Sequence, residues 1–185
     1  MQAKEKLWTY DEYLMIDDDK RYEVLEGELM MAPAPIPFHQ AVSRNLEYMM
    51  LTHVRKKKLG VLYDAPIDVV LDPHNVLQPD IVFISSSRKD IIKEKAIHGA
   101  PDLVVEVVSP STLSRDTVRK KKIYEKFGVQ EFWLVYPDMK CVEVFLLGEE
   151  GYDLLDEGCL EGKKKVRSKV LKGFTANLEE IFFED

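Results

Sequence analysis

The stretch Leu103-Val104-Val105-Glu106-Val107-Val108 places one carboxylate inside an otherwise unbroken apolar run. A run of this length that is rich in β-branched residues predicts a central strand buried on both faces. An unpaired, ionised carboxylate in such a strand would cost several kcal/mol, or it would take up a proton. We therefore expect Glu106 to have charged partners elsewhere in the chain.

Two candidate partners lie nearby in the sequence. Asp80 opens the apolar run Ile81-Val82-Phe83-Ile84, which predicts a second strand, and Lys120 lies in the segment that follows Glu106. Two carboxylates and a lysine can together hold a divalent metal ion.

The position of Lys120 follows from helical spacing. The segment from Thr112 to Phe127 is predicted to be a helix, in which the following residues have the spacing i, i+3, i+4, i+7: Lys120, Ile123, Tyr124 and Phe127. This spacing places Lys120 on the face that packs against the core. The structural alternatives are a lysine that extends its amine to solvent, or one that pairs only with Asp116 one turn earlier.

These residues carry a resemblance to a known family. The order Pro79-Asp80, then Glu106 in an apolar strand, then a helix resembles the PD-(D/E)XK nuclease superfamily, and residues 103–137 resemble the Uma-type restriction endonucleases more closely. The resemblance extends from about Tyr10 to Phe182. It includes Tyr22-Glu23, Gly27-Glu28, the proline-rich stretch before His39, and the strand Phe132-Trp133-Leu134-Val135.

The resemblance implies a fold, a cofactor and a set of site residues. The fold is α/β (α+β), with a mixed central sheet flanked by helices and an N-terminal β-hairpin. The implied cofactor is Mg²⁺ or Mn²⁺, held by Asp80, Glu106 and the carbonyl of Val107. Glu23 is the first choice for a further carboxylate, and Glu28 and His39 are auxiliary candidates.

The catalytic lysine departs from the superfamily pattern. The usual lysine stands two residues after the second acid, where this chain has Val108. In the Uma-type branch the lysine lies in the next helix, four residues before a tyrosine, and that position corresponds to Lys120. Helical spacing indicates the same residue independently.

The implied chemistry is hydrolysis of a phosphodiester. A metal-activated water would attack the phosphate in line, and Lys120 would orient that water or stabilise the developing charge. The implied partner is nucleic acid, most directly DNA, and the implied assembly is a homodimer or a higher homo-oligomer.

Composition sets further bounds. With 185 residues and 45% hydrophobic content, the chain is expected to form one domain over residues 1–185. No apolar run approaches the roughly 20 residues that span a bilayer. Cys141 and Cys159 lack metal-ligand spacing and a secretory context, which predicts reduced cysteines in a cytoplasmic protein without membrane partners.

Charge is unevenly distributed along the chain. The net charge of −7 argues against a protein that coats nucleic acid non-specifically. Three basic clusters interrupt this acidic background: residues 55–58, 119–122 and 163–167. A solvated surface is the usual role of such clusters. The second one adjoins the predicted site.

Two other functions remain open at this point. The chain could be a binding or scaffold module in which Glu106 and Lys120 form a buried ion pair. Alternatively, the acidic residues could serve a metal-dependent hydrolase of small phosphate esters, which the acidic net charge slightly favours.

The remaining pattern is typical of alternating helices and strands. We expect a short helix from Thr9 to Leu14 with Glu12 in a capping box, and a hairpin that turns at Glu26-Gly27. Further predicted elements are a helix from Phe38 to Lys57 with its buried stripe at His39, Val42, Leu46 and Met49, strands 61–63, 67–71, 131–136, 141–147 and 152–155, and helices 86–95 and 178–182.

Overall fold

The computed structural model describes residues 6–184 and contains four α-helices and thirteen strands in that range. The helices are α1 (Tyr10–Tyr13), α2 (Pro37–Lys57), α3 (Lys121–Phe127) and α4 (Leu178–Ile181). The strands are β1 (Arg21–Leu25), β2 (Glu28–Ala32), β3 (Gly60–Asp64), β4 (Val69–Asp72), β5 (Asn75–Leu77), β6 (Ile81–Ser85), β7 (Ile97–His98), β8 (Leu103–Val107), β9 (Glu131–Tyr136), β10 (Cys141–Leu147), β11 (Tyr152–Cys159), β12 (Lys165–Arg167) and β13 (Thr175–Asn177). A 3₁₀ segment (Ser86–Ile91) and a π-helical segment (Arg115–Lys120) complete the list.

The strands form one mixed six-stranded sheet and two smaller sheets. The large sheet has the order β11-β10-β9-β8-β6-β3, in which β8 and β9 are parallel and the other neighbours are antiparallel. A five-stranded sheet has the order β2-β1-β5-β4-β7, and β12 pairs with β13. The predicted α/β fold with a mixed sheet and an N-terminal hairpin is confirmed.

The predicted central strand is β8, and all five of its residues are buried. Val105 packs with Leu46 of α2, whereas Val104 packs with Ile123 of α3. Because successive side chains of a strand point to opposite faces, helices cover β8 on both sides. The unbroken apolar run is therefore explained, and Glu106 must lie on the α3 side.

The hairpin has the predicted turn and register. Glu26 and Gly27 both have positive φ, at 53° and 81°, as a two-residue type I′ connection requires. A Cβ atom on Gly27 would also lie 2.7 Å from Leu7 Cδ2. Glu23 pairs with Met30, and Leu25 pairs with Glu28, so these four residues share one face of the hairpin as predicted.

Two helical predictions need correction. The buried stripe of α2 contains Met50 in place of the predicted Met49, which is only half-buried. The helix predicted at 86–95 is a 3₁₀ segment that ends at Ile91. None of the helices within residues 6–184 is long and apolar enough to cross a membrane.

The predicted reduced cysteines are wrong, because Cys141 and Cys159 form a disulfide. The two residues are direct partners in the β10–β11 ladder, with a Cα–Cα distance of 4.1 Å. The sequence predicted a strand that ends at residue 155, whereas β11 continues to Cys159. The pairing depends on these additional residues, which local patterning did not reveal.

Glu131 is a second charged residue inside the core, and its side chain is completely buried. One carboxylate oxygen accepts hydrogen bonds from Trp133 Nε1 (2.7 Å) and Ser168 Oγ (2.6 Å). The other accepts from the backbone N–H groups of Lys169 (2.6 Å) and Val170 (2.9 Å). Glu131 therefore attaches the segment before β13 to the central sheet.

We predict that Glu131→Gln lowers the free energy of unfolding by about 3 kcal/mol. Each oxygen of Glu131 accepts from two donors, whereas the NH₂ group of glutamine can only donate and would leave two of those donors without an acceptor. Urea titration of both proteins measures the difference. Glu161→Gln removes an exposed carboxylate as the matched control and should be nearly neutral. Equal stability of the two variants would contradict this structural role of Glu131.

Candidate active site

A cavity of about 550 Å³ opens where the six-stranded and the five-stranded sheets meet the beginning of α2 and the π-helical segment. Its lining includes Glu23, His39, Asp80, Glu106, Val107, Asp116 and Lys120. Six of these seven residues were candidates from the sequence, and they come from β1, α2, the residue before β6, β8 and the π-helical segment. The fold thus brings together residues that are far apart in the chain.

Asp80 and Glu106 are neighbours across two antiparallel strands. Ile81 pairs with Val105 at the end of the β6–β8 ladder, so Asp80 and Glu106 both lie directly beside this last pair. The Asp80 N–H donates to the carbonyl of Val105 (3.1 Å), one residue out of register with that pair, so the ladder is irregular at this end. Both residues line the cavity, and the Asp80 carboxylate accepts the N–H of Val107, the residue that follows Glu106.

The ammonium of Lys120 lies at the centre of the buried charges. Its Nζ atom is 3.1 Å and 3.0 Å from the two carboxylate oxygens of Glu106, and 2.7 Å from Glu23 Oε1. Asp116, one turn earlier, is 3.7 Å away. Lys120 is 2% exposed, which excludes the alternative of a lysine that extends to solvent. Its position on the core-facing side of the helix is confirmed.

Tyr124 fixes the orientation of the Glu106 carboxylate. Its hydroxyl donates to Glu106 Oε1 at 2.7 Å, and the tyrosine is completely buried. Oε1 therefore accepts from both Lys120 and Tyr124, whereas Oε2 accepts only from Lys120. Since a carboxylate oxygen has two lone-pair sites, one site remains on Oε2.

Glu23 reaches the same charged cluster from the hairpin. Its Oε1 atom accepts the N–H of Gln78 (2.8 Å) in addition to the contact with Lys120. Its buried Oε2 atom has no hydrogen-bond partner, although Arg115 Nη1 lies 3.6 Å away. Glu23 is thus an acidic group beside the predicted pair, with one oxygen unpaired.

His39 and Asp80 hold the backbone of Val107 from two sides. Asp80 Oδ2 accepts the Val107 N–H at 2.6 Å, and His39 Nε2 lies 2.8 Å from the Val107 carbonyl oxygen. A carbonyl can only accept, so Nε2 carries the proton in this contact. His39 Nε2 is also 3.7 Å from Asp80 Oδ2, and His39 Nδ1 is buried without a partner.

Carboxylates outnumber the basic side chains in this cluster. The acidic members are Glu23, Asp80, Glu106 and Asp116, and the permanently charged basic members are Lys120 and Arg115. Burial raises the pKa of the Glu106 carboxyl well above its usual range; Lys120 opposes this shift, and the other carboxylates add to it. Burial also raises the pKa of Asp80, against the influence of His39 and the Val107 N–H.

The surrounding carboxylates keep Lys120 charged. Burial alone would lower the pKa of Lys120, but the acidic groups around it outweigh burial and raise that pKa. Burial, with Glu106 beside it, raises the pKa of Tyr124, so its hydroxyl keeps its proton and continues to donate. The cluster therefore combines a stable cation with two carboxyl groups, Asp80 and Glu106, whose pKa values are raised by burial.

The donor chemistry fits a hard divalent cation. Within residues 6–184, no group of three or more His, Cys, Asp or Glu side chains has the arrangement of a metal site. Mg²⁺, however, commonly uses one or two protein carboxylates and takes its other ligands from water and substrate. Asp80 and the remaining lone-pair site of Glu106 Oε2 meet that requirement, whereas the Val107 carbonyl is engaged by His39.

Glu28 lies outside the cluster. It is exposed and pairs with Arg119 Nη1 at 2.7 Å, and Arg119 also donates to the carbonyl of Leu25 (3.0 Å). These contacts attach the hairpin to the π-helical segment. Arg119, in the basic cluster beside the site, therefore has a structural role in this arrangement.

Sequence reasoning missed the contributions of Arg115 and Gln78, and it treated Asp116 only as an alternative partner of Lys120. Gln78 precedes Pro79-Asp80, and its backbone contact with Glu23 has no sequence signal. Arg115, five residues before Lys120, could have been suggested only by a non-α-helical spacing, which hydrophobic periodicity does not reveal.

Comparison with known proteins identifies a family and a similar fold. The family model described as "Uma2: Putative restriction endonuclease" matches residues 9–179. The chain belongs to this Uma2 family. A crystal structure of a putative nuclease belonging to DUF820 from Anabaena variabilis aligns with a TM-score of 0.76 and 21% identity, over 94% of this chain and 97% of that one. At this identity the likeness supports the fold. The comparison with curated proteins found no match.

We predict a pH-dependent difference in stability between the wild type and Glu106→Gln. The folded-state pKa of Glu106 is raised, so above about pH 4.5 the folded wild type binds more protons than the unfolded chain and loses stability as pH rises. Relative to Glu106→Gln, the loss should approach about 1.4 kcal/mol per pH unit until the folded carboxyl ionises.

Urea titrations of both proteins between pH 4 and pH 8 measure this difference. The exposed Glu161→Gln variant is the control, and its difference from the wild type should stay flat. A rise in wild-type stability relative to Glu106→Gln across the same range would show that the folded state favours the ionised form of Glu106.

Proposed function

We propose that this chain is a Mg²⁺-dependent endonuclease that hydrolyses phosphodiester bonds in DNA. The observation that carries the proposal is that Asp80 and Glu106 both line the cavity, with the Lys120 ammonium bound to Glu106. Membership of the Uma2 family supports the same activity class. From the family resemblance we also propose a homodimer or a higher homo-oligomer.

Each residue has a distinct proposed role. Asp80 and Glu106 would hold Mg²⁺ or Mn²⁺, and Val107 could add its carbonyl if His39 released it. When bound, the metal would supply Lewis-acid polarisation of the phosphate and a more acidic water. Lys120 would orient the attacking water and offset negative charge that develops on the phosphate.

Tyr124 and Glu23 would position these groups. Tyr124 occupies Glu106 Oε1, so the available lone pair lies on Oε2, and Glu23 is a second carboxylate bound to the Lys120 ammonium. Glu23 also remains the first choice for a further acidic group near the reaction. His39 would act through the Val107 backbone, which it contacts directly.

The excess of carboxylates argues against the scaffold alternative. A scaffold needs only a balanced ion pair, and an apolar pair of similar size would be as stable or more stable. Here four carboxylates surround two permanent cations, and the group opens into a cavity. Such an arrangement costs stability, and a bound cation would relieve that cost.

Hydrolysis of small phosphate esters is the second candidate. The cavity volume of about 550 Å³ falls within the range of small-molecule sites and favours this alternative. The two candidates share the same proposed metal ligands. A supercoiled plasmid and p-nitrophenyl phosphate, offered separately with Mg²⁺, distinguish them by which one is hydrolysed.

We predict that Asp80→Asn, Glu106→Gln and Lys120→Met each reduce plasmid nicking by at least about 100-fold, because each removes a charge aligned with the reacting phosphate. Lys122→Met is the matched control, since Lys122 is exposed in α3 two residues after Lys120, and it should retain activity. Equal damage from Lys122→Met and Lys120→Met would contradict the proposed role of Lys120.

Lys120→Met needs a folding check, because it leaves the neighbouring carboxylates without their shared ammonium. Lys120→Arg keeps the charge and serves as the second variant. A folded Lys120→Arg protein with less than about 1% of wild-type activity would support the requirement for a compact ammonium.

We predict that millimolar Mn²⁺ raises the melting temperature of the wild type, because a metal that binds only the folded state stabilises it. Asp80→Asn and Glu106→Gln each remove one ligand and should lose most of this response. Calorimetry with and without Mn²⁺ measures it. A metal-insensitive wild type would reject the proposed metal site.

The Mn²⁺-induced change in melting temperature is a better test of the proposed metal site than the stability of Glu106→Gln without metal. Glu106→Gln does not leave Lys120 without a partner, because Glu23 remains 2.7 Å from its ammonium. The stability of this variant alone therefore does not separate a nuclease from a scaffold. The loss of the Mn²⁺ response does separate them, since a scaffold has no response to lose.

A further inference from the structure

Arg115 lies in the wall of the cavity with most of its hydrogen-bond donors unused. A guanidinium carries N–H donors on all three of its nitrogens. In the part of the chain that the structure describes, Arg115 makes one long hydrogen bond, from Nε to Asp116 Oδ1 at 3.4 Å. Its Nη1 atom lies 3.6 Å from Glu23 Oε2, which accepts no hydrogen bond. The donors on Nη1 and Nη2 therefore have no acceptor among the described residues.

The unused donors of Arg115 are accessible to a ligand. The side chain lines the cavity and is 14% exposed. Within residues 6–184, neither Nη1 nor Nη2 belongs to the completely buried side-chain nitrogens that lack a partner. Both terminal nitrogens therefore reach the accessible surface, while most of the side chain is packed. The cavity wall thus holds the guanidinium in place and leaves its outer edge open.

Arg119 shows how the same segment uses an arginine for structure. It donates to Glu28 Oε2 at 2.7 Å and to the carbonyl of Leu25 at 3.0 Å. Charge-assisted hydrogen bonds between a guanidinium and a carboxylate are commonly about 2.7–2.9 Å long. The carboxylate contacts of Arg115, at 3.4 Å and 3.6 Å, are clearly longer. Protein acceptors therefore satisfy Arg119, whereas Arg115 is only loosely held by the carboxylates beside it.

The π-helical segment brings this open guanidinium to the site. Arg115 lies five residues before Lys120, and the i→i+5 spacing of a π-helix places such residues on one side. The two side chains approach the same carboxylate, Glu23, at 3.6 Å and 2.7 Å. π-helical turns are rare and frequently occur at functional sites. One wall of the cavity thus presents an enclosed ammonium and, next to it, a guanidinium with unused donors.

The open edge of Arg115 has the geometry of a phosphate ligand. Nη1 and Nη2 present parallel N–H donors, which match two oxygens of one phosphate group. A phosphodiester has two such non-bridging oxygens. It must also enter a cavity that contains four carboxylates, so a contact that favours the anion is needed on the protein side. Arg115 can supply that contact without giving up the charge that Glu23 and Asp116 require.

We propose that Arg115 is a substrate-binding residue whose guanidinium holds the non-bridging oxygens of the phosphate placed in the cavity. The inference rests on the proposed function for the identity of the ligand. The alternative is a purely structural role, in which Arg115 only offsets the charge of Glu23 and Asp116. A lysine at this position would fulfil the structural role, but it lacks the planar pair of donors.

The experiment measures binding without turnover. A short fluorescein-labelled DNA duplex with Ca²⁺ is followed by polarisation, and inorganic phosphate with Mg²⁺ is followed by calorimetry. Arg115→Lys keeps the positive charge and removes the planar fork, and Arg115→Gln removes both. Arg167→Gln is the charge-matched control, because Arg167 is exposed, pairs with Asp156 and does not line the cavity. Thermal melts verify that each variant folds.

Arg115→Lys should melt close to the wild type, yet it should bind both probes about tenfold more weakly, the scale of a lost charge-assisted hydrogen bond. Arg115→Gln should bind more weakly still, and the salt dependence of its duplex binding should become shallower by about one unit, as for one lost phosphate contact. Arg167→Gln should keep the affinity and the salt dependence of the wild type.

Wild-type affinity of Arg115→Lys for both probes would overturn the inference, and so would a failure of this variant to fold, since either result assigns Arg115 a structural role. Equal losses in Arg115→Gln and Arg167→Gln would also overturn it, because they would reflect net charge alone. Arg115-dependent binding of phosphate without duplex binding would support the contact and favour the small-ester candidate.

Plasmid nicking separates this inference from the proposed nuclease. An active wild type beside an equally active Arg115→Lys variant with unchanged binding rejects the phosphate contact and retains the nuclease. An inactive wild type that still binds phosphate through Arg115 rejects the nuclease and retains the contact. A wild type that binds neither probe rejects both.

Discussion

The contact of the Lys120 ammonium with Glu106 and Glu23 is the interaction on which the arrangement of the site depends. Glu106 belongs to the six-stranded sheet and Glu23 to the five-stranded sheet, so one buried cation connects both sheets with the π-helical segment. Neither carboxylate can lose this cation without leaving a buried negative charge, which is strongly unfavourable. The same contact that holds the sheets together therefore also places a cation beside the proposed metal ligands.

The cluster is acidic beyond what the fold requires. Asp80 and Asp116 add carboxylates that Lys120 does not bind closely, and burial raises the pKa of Asp80 and of Glu106. Glu131 shows that this chain can bury a carboxylate without such strain, because four donors satisfy it completely. Both oxygens of Glu131 accept two hydrogen bonds each, as expected for a structural acid. In the cavity, by contrast, Glu23 Oε2 accepts no hydrogen bond and Glu106 Oε2 accepts only one.

Local patterns predicted the parts of the structure that depend on local order. The apolar run around Glu106 predicted β8, the Glu26-Gly27 pair predicted the hairpin register, and helical spacing predicted the burial of Lys120. The Cys141–Cys159 pair and the four donors to Glu131 depend on residues that meet only after folding. The same is true of Gln78, whose backbone contact with Glu23 follows from the packing of β5 beside β1.

The π-helical segment explains why Lys120 was predictable and Arg115 was not. From Lys120 onward the chain continues into α3, so spacing from Ile123 and Tyr124 gave the correct face. In a regular α-helix, Arg115 would lie about 140° around the axis from Lys120 and could not share its surroundings. The wider i→i+5 turns bring residues five apart onto one side, and Arg115 approaches Glu23 while Lys120 binds it. The wider turn therefore directs both cations toward the acidic cavity, which a regular α-helix would not do.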